Sequence, residues 1–167
     1  MSYTNYMIAA VNAEGYYQTA QMIKDRAKNP INIEPFLKFS NPYIIILSLA
    51  CEFYLKSMLL YHNIDFPKAG GKGHNLFELY KQLNHDDQEE INKAYASEVP
   101  LEDFLSKHEK IFVDRRYPYE RANDQEKNQF SYEPFEEFSK ALATACVVLQ
   151  RKHLDSEACN NAGNSQN

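Results

Sequence analysis

The stretch that decides the fold runs from Asn41 to His62 and has the sequence NPYIIILSLACEFYLKSMLLYH. Asn41 can cap a helix, and Pro42 suits the first helical position. The residues after Pro42 are apolar on almost every side, which predicts a central helix that others surround. A run of isoleucines would also suit a buried strand, but the apolar pattern continues through Leu60 and is too long for one.

Helical patterns flank this segment on both sides. Upstream, apolar residues at helical spacing predict a helix from Tyr3 to about Lys28, followed by a connector over 31–40. Its apolar face would contain Met7, Ala10, Val11, Tyr17, Ala20 and Ile23. Downstream, Asn75 with Glu78 three residues later forms a variant of the capping box, which predicts a short third helix.

Three more helices are predicted nearer the C-terminus. They run from Asp86 or Asp87 to about Ser97, from Pro100 to just before Pro118, and from near Tyr132 onward. The fold class is therefore all-α, an up-and-down bundle of four to five main helices with short helices between them. No second domain boundary is visible. We expect one domain over 1–154 and a disordered tail over 155–167, because the tail has little to bury.

Composition excludes several classes of protein. Lys and Arg total 18 against 23 for Asp and Glu, so the net charge of −5 is unlike that of a strongly basic nucleic-acid binder. A local basic site is still compatible with this balance. Three cysteines without a CxxC pattern favour reduced thiols in a cytoplasmic protein. The longest apolar segment, 43–51, is too short and too broken for a membrane span.

Glu52 and Lys56 are four residues apart in the most apolar helix. Each charge needs a partner or solvent in such a helix. One interpretation is a structural ion pair on the strip that reaches solvent or a dimer interface. The other places both residues at the edge of a ligand site.

The segment Gly73-His74-Asn75-Leu76 joins a glycine-bearing loop to the third helix. Backbone N–H groups here could meet an anion, helped by Lys68 and Lys72. The alternative is a helix cap in which His74 bonds to a neighbouring helix. The GxxxxGK[ST] spacing of a P-loop is absent.

The strongest polar cluster lies at the predicted end of the helix that follows Pro100. It consists of three arginines and two tyrosines: Arg115, Arg116, Tyr117, Tyr119 and Arg121. Arginines bind phosphates and tyrosines stack on bases, so the cluster is a candidate for ligand binding. The same side chains would equally suit acidic groups of a partner helix or a helix C-terminus.

Metal and nucleophile motifs are missing from the sequence. There is no HExxH, no GxSxG and no pair of ExxH segments, and the histidines lack metal-ligand spacing. We therefore expect no metal and no cofactor.

The order of these motifs resembles the HEPN superfamily of small helical domains linked to nucleotide and RNA metabolism. The matching segments are LSLACEFYLKSMLLYHNI, then GHNLFELYKQL, then FVDRRYPYE, within about residues 40–150. The resemblance implies a helical bundle that forms a homodimer through the helices carrying the polar motif. Many members of the family are metal-independent ribonucleases, and others bind RNA or nucleotides or act as accessory partners in defence and stress systems.

The ribonuclease signature of that family, an Arg followed after four to six residues by a His, is absent here. The windows after Arg115 and Arg116 contain Glu120, Arg121, Ala122 and Asn123 but no histidine. We therefore expect a non-catalytic domain that binds RNA, a nucleotide or another phosphate ligand. One alternative is a divergent ribonuclease that uses His74 for proton transfer. The other is a structural or regulatory dimerisation subunit with a partner protein.

Overall fold

The computed structural model describes residues 3–27, 33–66, 71–116 and 132–164, and all regular structure within them is helical. This confirms the predicted all-α class and its helical bundle. The α-helices are α1 (Tyr3–Ala27), α2 (Ile33–Tyr61), α3 (Leu76–Lys81), α4 (His85–Ala94), α5 (Leu101–Lys107), α6 (Ile111–Arg116) and α7 (Tyr132–Asn164), with a 3₁₀ turn at Gly71–His74.

Helix α2 is the centre of the bundle, as its apolar pattern predicts. Leu47, Cys51 and Leu55 are fully buried, and helices α1, α3, α6 and α7 all contact α2. Burial raises the pKa of the Cys51 thiol, because a thiolate would lose its hydration there. The sequence therefore specifies the central position of α2 through side chains that are apolar around most of its circumference.

The start of α2 differs from the prediction. Asn41 and Pro42 were expected to begin the helix, but α2 begins at Ile33 and contains Pro42 in its interior. Proline in a helix interior removes one backbone hydrogen bond and crowds the preceding turn. Tyr43 and Ile44 are buried directly after it, so tertiary packing offsets this cost. The amide of Asn41 does not cap α2 but donates to the carbonyl oxygen of Arg115, 2.9 Å away.

The predicted apolar face of α1 is only partly correct. Ala10 and Ala20 are buried, whereas Met7 and Val11 are 42% and 69% exposed. The buried side of the helix is made largely of alanines, which let α1 lie close against α2. The larger apolar side chains of α1 are divided, because Tyr17 and Ile23 pack against the core while Met7 and Val11 lie at the surface.

Helices α5 and α6 replace the single helix expected after Pro100. The chain leaves helical geometry at His108, with φ −117° and ψ 24°. Phe104 before the break and Ile111 after it are both buried. The break leaves the carbonyl oxygen of Glu109 free to accept from the backbone N–H of Leu76 at 3.1 Å, which ties this link to the start of α3.

The capping prediction for α3 is confirmed. Asn75 is the N-cap, and its side-chain oxygen accepts from the backbone N–H of Glu78 at 2.9 Å. Helix α4 begins at His85, one or two residues earlier than predicted, because Asn84 provides its cap by accepting from the N–H of Asp87 at 2.8 Å. Asparagine suits both positions because its short side chain reaches the orphan N–H groups of the first turn.

Replacing Asn75 by alanine is expected to lower the free energy of unfolding by about 1–2 kcal/mol. The change removes the cap of α3 and also the hydrogen bond from Asn75 to Glu109, which is 3.0 Å long and holds the pKa of Glu109 below its ordinary value. Urea denaturation measures the loss. Asn12→Ala on the exposed side of α1 is the control, and an equal loss there would contradict the capping role.

The C-terminal helix α7 begins at Tyr132, where the sequence predicts it. Its phenylalanines Phe135 and Phe138 are buried, and both rings contact Phe104 of α5. The backbone is helical as far as Asn164. The division between a domain over 1–154 and a disordered tail over 155–167 stays a prediction.

By length and composition, the Lys38–Tyr61 part of α2 is the one span in the described chain that could cross a membrane, with a mean hydropathy of 1.7. Of the most apolar stretch within this span, 67% is buried inside the bundle. A buried core helix passes the same criteria, so this feature gives no specific indication of a membrane.

Candidate functional site

The polar centre of the structure is the carboxylate of Glu52, which α2 places among apolar neighbours with 3% of the residue exposed. One carboxylate oxygen, Oε1, lies 2.6 Å from Nζ of Lys56, one turn further along α2. The other, Oε2, lies 2.9 Å from Nδ1 of His74 at the end of the 3₁₀ turn. Both oxygens of a buried carboxylate therefore have a partner, as burial of a charge requires.

The geometry assigns the proton of the His74 ring. An ionised carboxylate only accepts hydrogen bonds, so Nδ1 of His74 donates to Glu52. In the neutral ring this leaves Nε2 as the acceptor nitrogen, and in the charged ring Nε2 is a second donor. The His74 side chain is 44% exposed, against 4% for the side chain of Glu52. The carboxylate thus orients the ring from the inside while the outer part of the ring reaches solvent.

Local sequence explains why His74 arrives at this position. Gly73 is buried directly before it, and Asn75 caps α3 directly after it. The buried cap and the buried glycine fix the backbone on both sides of the histidine. The fixed backbone therefore keeps the side chain of His74 in contact with Glu52.

Two half-buried aromatic rings flank this polar group. Nζ of Lys56 lies 5.5 Å from the ring centroid of Phe66, within the range of a cation–π contact. The ring of His74 lies 5.5 Å from that of Phe112 on α6. We call Glu52, Lys56 and His74 the polar triad. Beside this aromatic surface it can present to an anion the ammonium of Lys56 and, when the ring is protonated, the Nε2–H of His74.

The predicted site residues divide into three groups. The structure brings Glu52, Lys56 and His74 together. Arg115 lies on α6 one turn after Phe112, and its carbonyl oxygen accepts a hydrogen bond from Asn41. Asn41 is about 16 Å from Glu52 along α2, at a rise of 1.5 Å per residue. The backbone of Arg115 therefore lies at the other end of α2 from the polar centre. The rest fall outside what the structure describes: the Arg116 side chain, Tyr117, Tyr119 and Arg121.

The structure contains a second polar cluster that the sequence does not predict. Nε2 of His62, just after α2, lies 2.8 Å from Oδ2 of the buried Asp87 on α4. The amide of Asn84 lies 3.0 Å from the same nitrogen of His62. Burial raises the pKa of Asp87, although the neighbouring His62 opposes that shift. Asn84 was not recognised as a cap, and His62 and Asp87 are too far apart in sequence for any local pattern to pair them.

A third cluster lies between α1, α2 and α7. The hydroxyl of Tyr43 donates to Oε1 of Glu136 at 2.8 Å, and Lys24 binds the other oxygen of that carboxylate. Burial, together with this hydrogen bond, raises the pKa of Tyr43. These contacts join three helices and have the character of a structural network. In the part of the chain that the structure describes, no group of His, Cys, Asp and Glu side chains could hold a metal ion.

Comparison of the chain with family models, curated proteins and solved structures gives no match. The structure itself therefore establishes an all-α helical bundle and no finer class.

Proposed function

We propose that this chain is a HEPN-like domain that forms a homodimer and binds RNA, a nucleotide or another phosphate ligand without cleaving it. The polar triad would bind the phosphate group, with arginines of the 115–121 segment adding charge. A cytoplasmic location, in a defence or stress system, completes the proposal.

The observation that carries this proposal is the pairing of Lys56 and His74 on one buried carboxylate. Glu52 holds both side chains at 2.6 and 2.9 Å, so the ammonium of Lys56, and the outward Nε2–H of His74 when its ring is protonated, are positioned before any ligand arrives. Preorganised donors bind an anion at a smaller entropic cost than freely rotating side chains do. The triad has a net charge of zero with a neutral imidazole and +1 with a protonated one. The triad is therefore a better binding site for one phosphate group than a carboxylate without cationic partners would be.

A divergent metal-independent ribonuclease is the second candidate. The observation that favours it is the hydrogen bond between Glu52 and Nδ1 of His74, which orients Nε2 outward as a catalytic histidine requires. Nε2 could then take the proton of an attacking 2′-hydroxyl. This candidate predicts metal-independent RNA cleavage that His74→Ala abolishes, and intact RNA after prolonged incubation would exclude it.

A structural or regulatory dimerisation subunit is the third candidate. It predicts a stable dimer that binds a partner protein but does not bind RNA, a nucleotide or phosphate. The exposed apolar side chains of α1 are the observation in its favour.

Titration with inorganic phosphate, adenosine monophosphate and a short single-stranded RNA, each at low and at physiological salt, tests the proposal. We expect salt-dependent binding of at least one of them, weakened about tenfold or more by His74→Ala, because a charge-assisted hydrogen bond contributes about 1.5–3 kcal/mol. Calorimetry measures the affinity. Arg116→Ala tests the contribution of the arginine segment in the same assay.

His85→Ala is the matched control, because that histidine is 83% exposed on α4 and lies 3.7 Å from Glu89 in a similar ion pair. Its affinity should equal that of the wild type. If no compound binds in a salt-dependent manner to the wild type or to either variant, the proposal is wrong. Equal losses in His74→Ala and His85→Ala would show that the triad is not the site.

A further inference from the structure

The net charge of the polar triad depends on the proton of one ring. Oε1 of Glu52 lies 2.6 Å from Nζ of Lys56, so this carboxylate already neutralises the ammonium. The side chains of Glu52 and Lys56 are 4% and 18% exposed, so salt and solvent screen the pair only weakly. Any further positive charge that the triad offers to an anion therefore comes from the ring of His74.

The hydrogen bond from His74 to Glu52 fixes where the ring takes up its second proton. Nδ1 donates to Oε2 of Glu52 at 2.9 Å in both charge states of the ring, since an ionised carboxylate can only accept. A neutral ring therefore presents a lone pair at Nε2, which repels an anion. A protonated ring presents an N–H and a positive charge at the same position, so one proton converts the outer edge of the ring from an acceptor to a donor.

Helix α6 places an aromatic ring beside this histidine. The ring centroid of Phe112 lies 5.5 Å from that of His74, at an interplanar angle of 34°. An aromatic face attracts a cation beside it, so this contact is compatible with a charged imidazole. Arg115, one turn later on α6, is the charged residue of that helix whose side chain the structure describes.

Charged groups on the adjoining link and on α3 have partners of their own. Glu109 lies 3.4 Å from Lys110 and also accepts from the side chain of Asn75 at 3.0 Å. On α3, Glu78 lies 2.5 Å from Lys81. Each of these carboxylates is balanced by a neighbouring lysine, so the charge state of the imidazole depends chiefly on the carboxylate of the triad and on any ligand.

We propose that the polar triad binds its phosphate ligand together with one proton, which is taken up at Nε2 of His74. The proposal rests on the phosphate binding of the proposed function and adds the regulation of that site by pH. The proton comes from the solvent and returns to it when the ligand leaves.

The direction of the pH dependence follows from this coupling. Binding strengthens as the solution becomes more acidic, because the charged ring is the form that donates to the ligand. Once the free ring is neutral, each further rise of one pH unit lowers the affinity about tenfold, until the remaining contacts alone hold the ligand. Histidine suits this role because its charge ordinarily changes between about pH 5 and 8.

Calorimetric titrations with adenosine monophosphate and with the short single-stranded RNA, each at about pH 5.5 and about pH 8.5, test the inference. We expect an affinity about tenfold or more higher at the acidic pH, because a charge-assisted hydrogen bond is gained there. Titrations near pH 8 in two buffers of different ionisation enthalpy count the protons, and the wild type should take up about one per ligand. The phosphodiesters of the RNA keep their charge throughout, so they add no proton of their own.

Two substitutions of the histidine bracket the wild type. His74→Arg provides a side chain that is charged at every pH used and has enough donors for both Glu52 and a ligand. It should bind tightly at both pH values and take up about one proton less than the wild type does. His74→Ala provides no charge and should bind weakly at both pH values.

His85→Ala, the control of the earlier titrations, should keep the pH dependence of the wild type, because this exposed histidine pairs with Glu89 outside the triad. Circular dichroism should show the same helical content for every variant at both pH values. Equal affinity of the wild type at both pH values, or equal proton uptake by the wild type and His74→Arg, would overturn the inference and leave phosphate binding in place. If neither probe binds at either pH, the proposed function is wrong and the inference falls with it.

Discussion

Glu52→Ala is expected to lower the free energy of unfolding by about 3 kcal/mol, at the lower end of the range for a broken buried ion pair. The change leaves Lys56, whose side chain is 18% exposed, without its carboxylate. It also removes the hydrogen bond that ties His74 and the 3₁₀ turn to α2. Chemical denaturation followed by circular dichroism measures the loss, and the ligand affinity should fall with it.

Two further variants separate charge from packing. Glu89→Ala removes a carboxylate whose side chain is 52% exposed, and it should change the stability by less than about 0.5 kcal/mol. The double variant Glu52→Leu/Lys56→Leu should recover most of the loss, because apolar groups can replace a buried ion pair at little cost. Phosphate binding should not recover with it. A Glu52→Ala protein as stable as the wild type would show that Glu52 does not hold the triad together.

Phe138→Ala is expected to have the largest effect on stability, a loss of about 3–5 kcal/mol. Phe138 has no exposed surface, and its ring centroid lies 6.3 Å from that of Phe104. Truncation removes apolar contacts and leaves a cavity between α5 and α7 that the surrounding helices fill only in part. Because the free energy of unfolding of a typical domain is only about 5–15 kcal/mol, this variant should populate the unfolded state at moderate temperature.

Leu154→Ala is the comparison for Phe138→Ala, since Leu154 is 60% exposed on the same helix. Its thermal midpoint should match that of the wild type. A small loss for Phe138→Ala would mean that α5 and α7 do not pack as the structure shows.

Local signals in the sequence were sufficient for the parts of the fold that depend on neighbours in the chain. Asn75 and Glu78 define the start of α3 within one turn, and Tyr132 is placed at the start of α7. The pairing of Glu52 with Lys56 is equally local, because residues four apart meet on a helix. These features were correct because their partners lie within a few residues.

Features that depend on distant contacts were not predictable in this way. Pro42 suits a helix start, and only the burial of the next residues by other helices explains why α2 continues through it. The break at His108 likewise lies beside a distant contact, in which the N–H of Leu76 donates to the carbonyl oxygen of Glu109. The spacing of apolar residues on α1 predicts one core-facing side, and it is correct for Tyr17 and Ile23 as well as for the alanines, but Val11 is exposed.

The candidate site shows the same division. The sequence supplied Glu52, Lys56 and His74 as separate candidates, and the structure places them on one carboxylate. His74 reaches Glu52 across 22 residues, a contact that only the folded chain creates. The aromatic neighbour Phe112 could not be assigned from sequence, because it depends on the break that separates α6 from α5.

The proline inside α2 has a consequence for how the molecule opens. Without an N–H at Pro42, the ladder of backbone hydrogen bonds along α2 has a gap, and the turns before and after it are less strongly coupled. Glu52 and Lys56 lie on the C-terminal side of that gap, in the half of α2 that the other helices bury most completely. The first turns of α2 can therefore exchange their amide hydrogens through local fraying while the half that carries the triad stays closed.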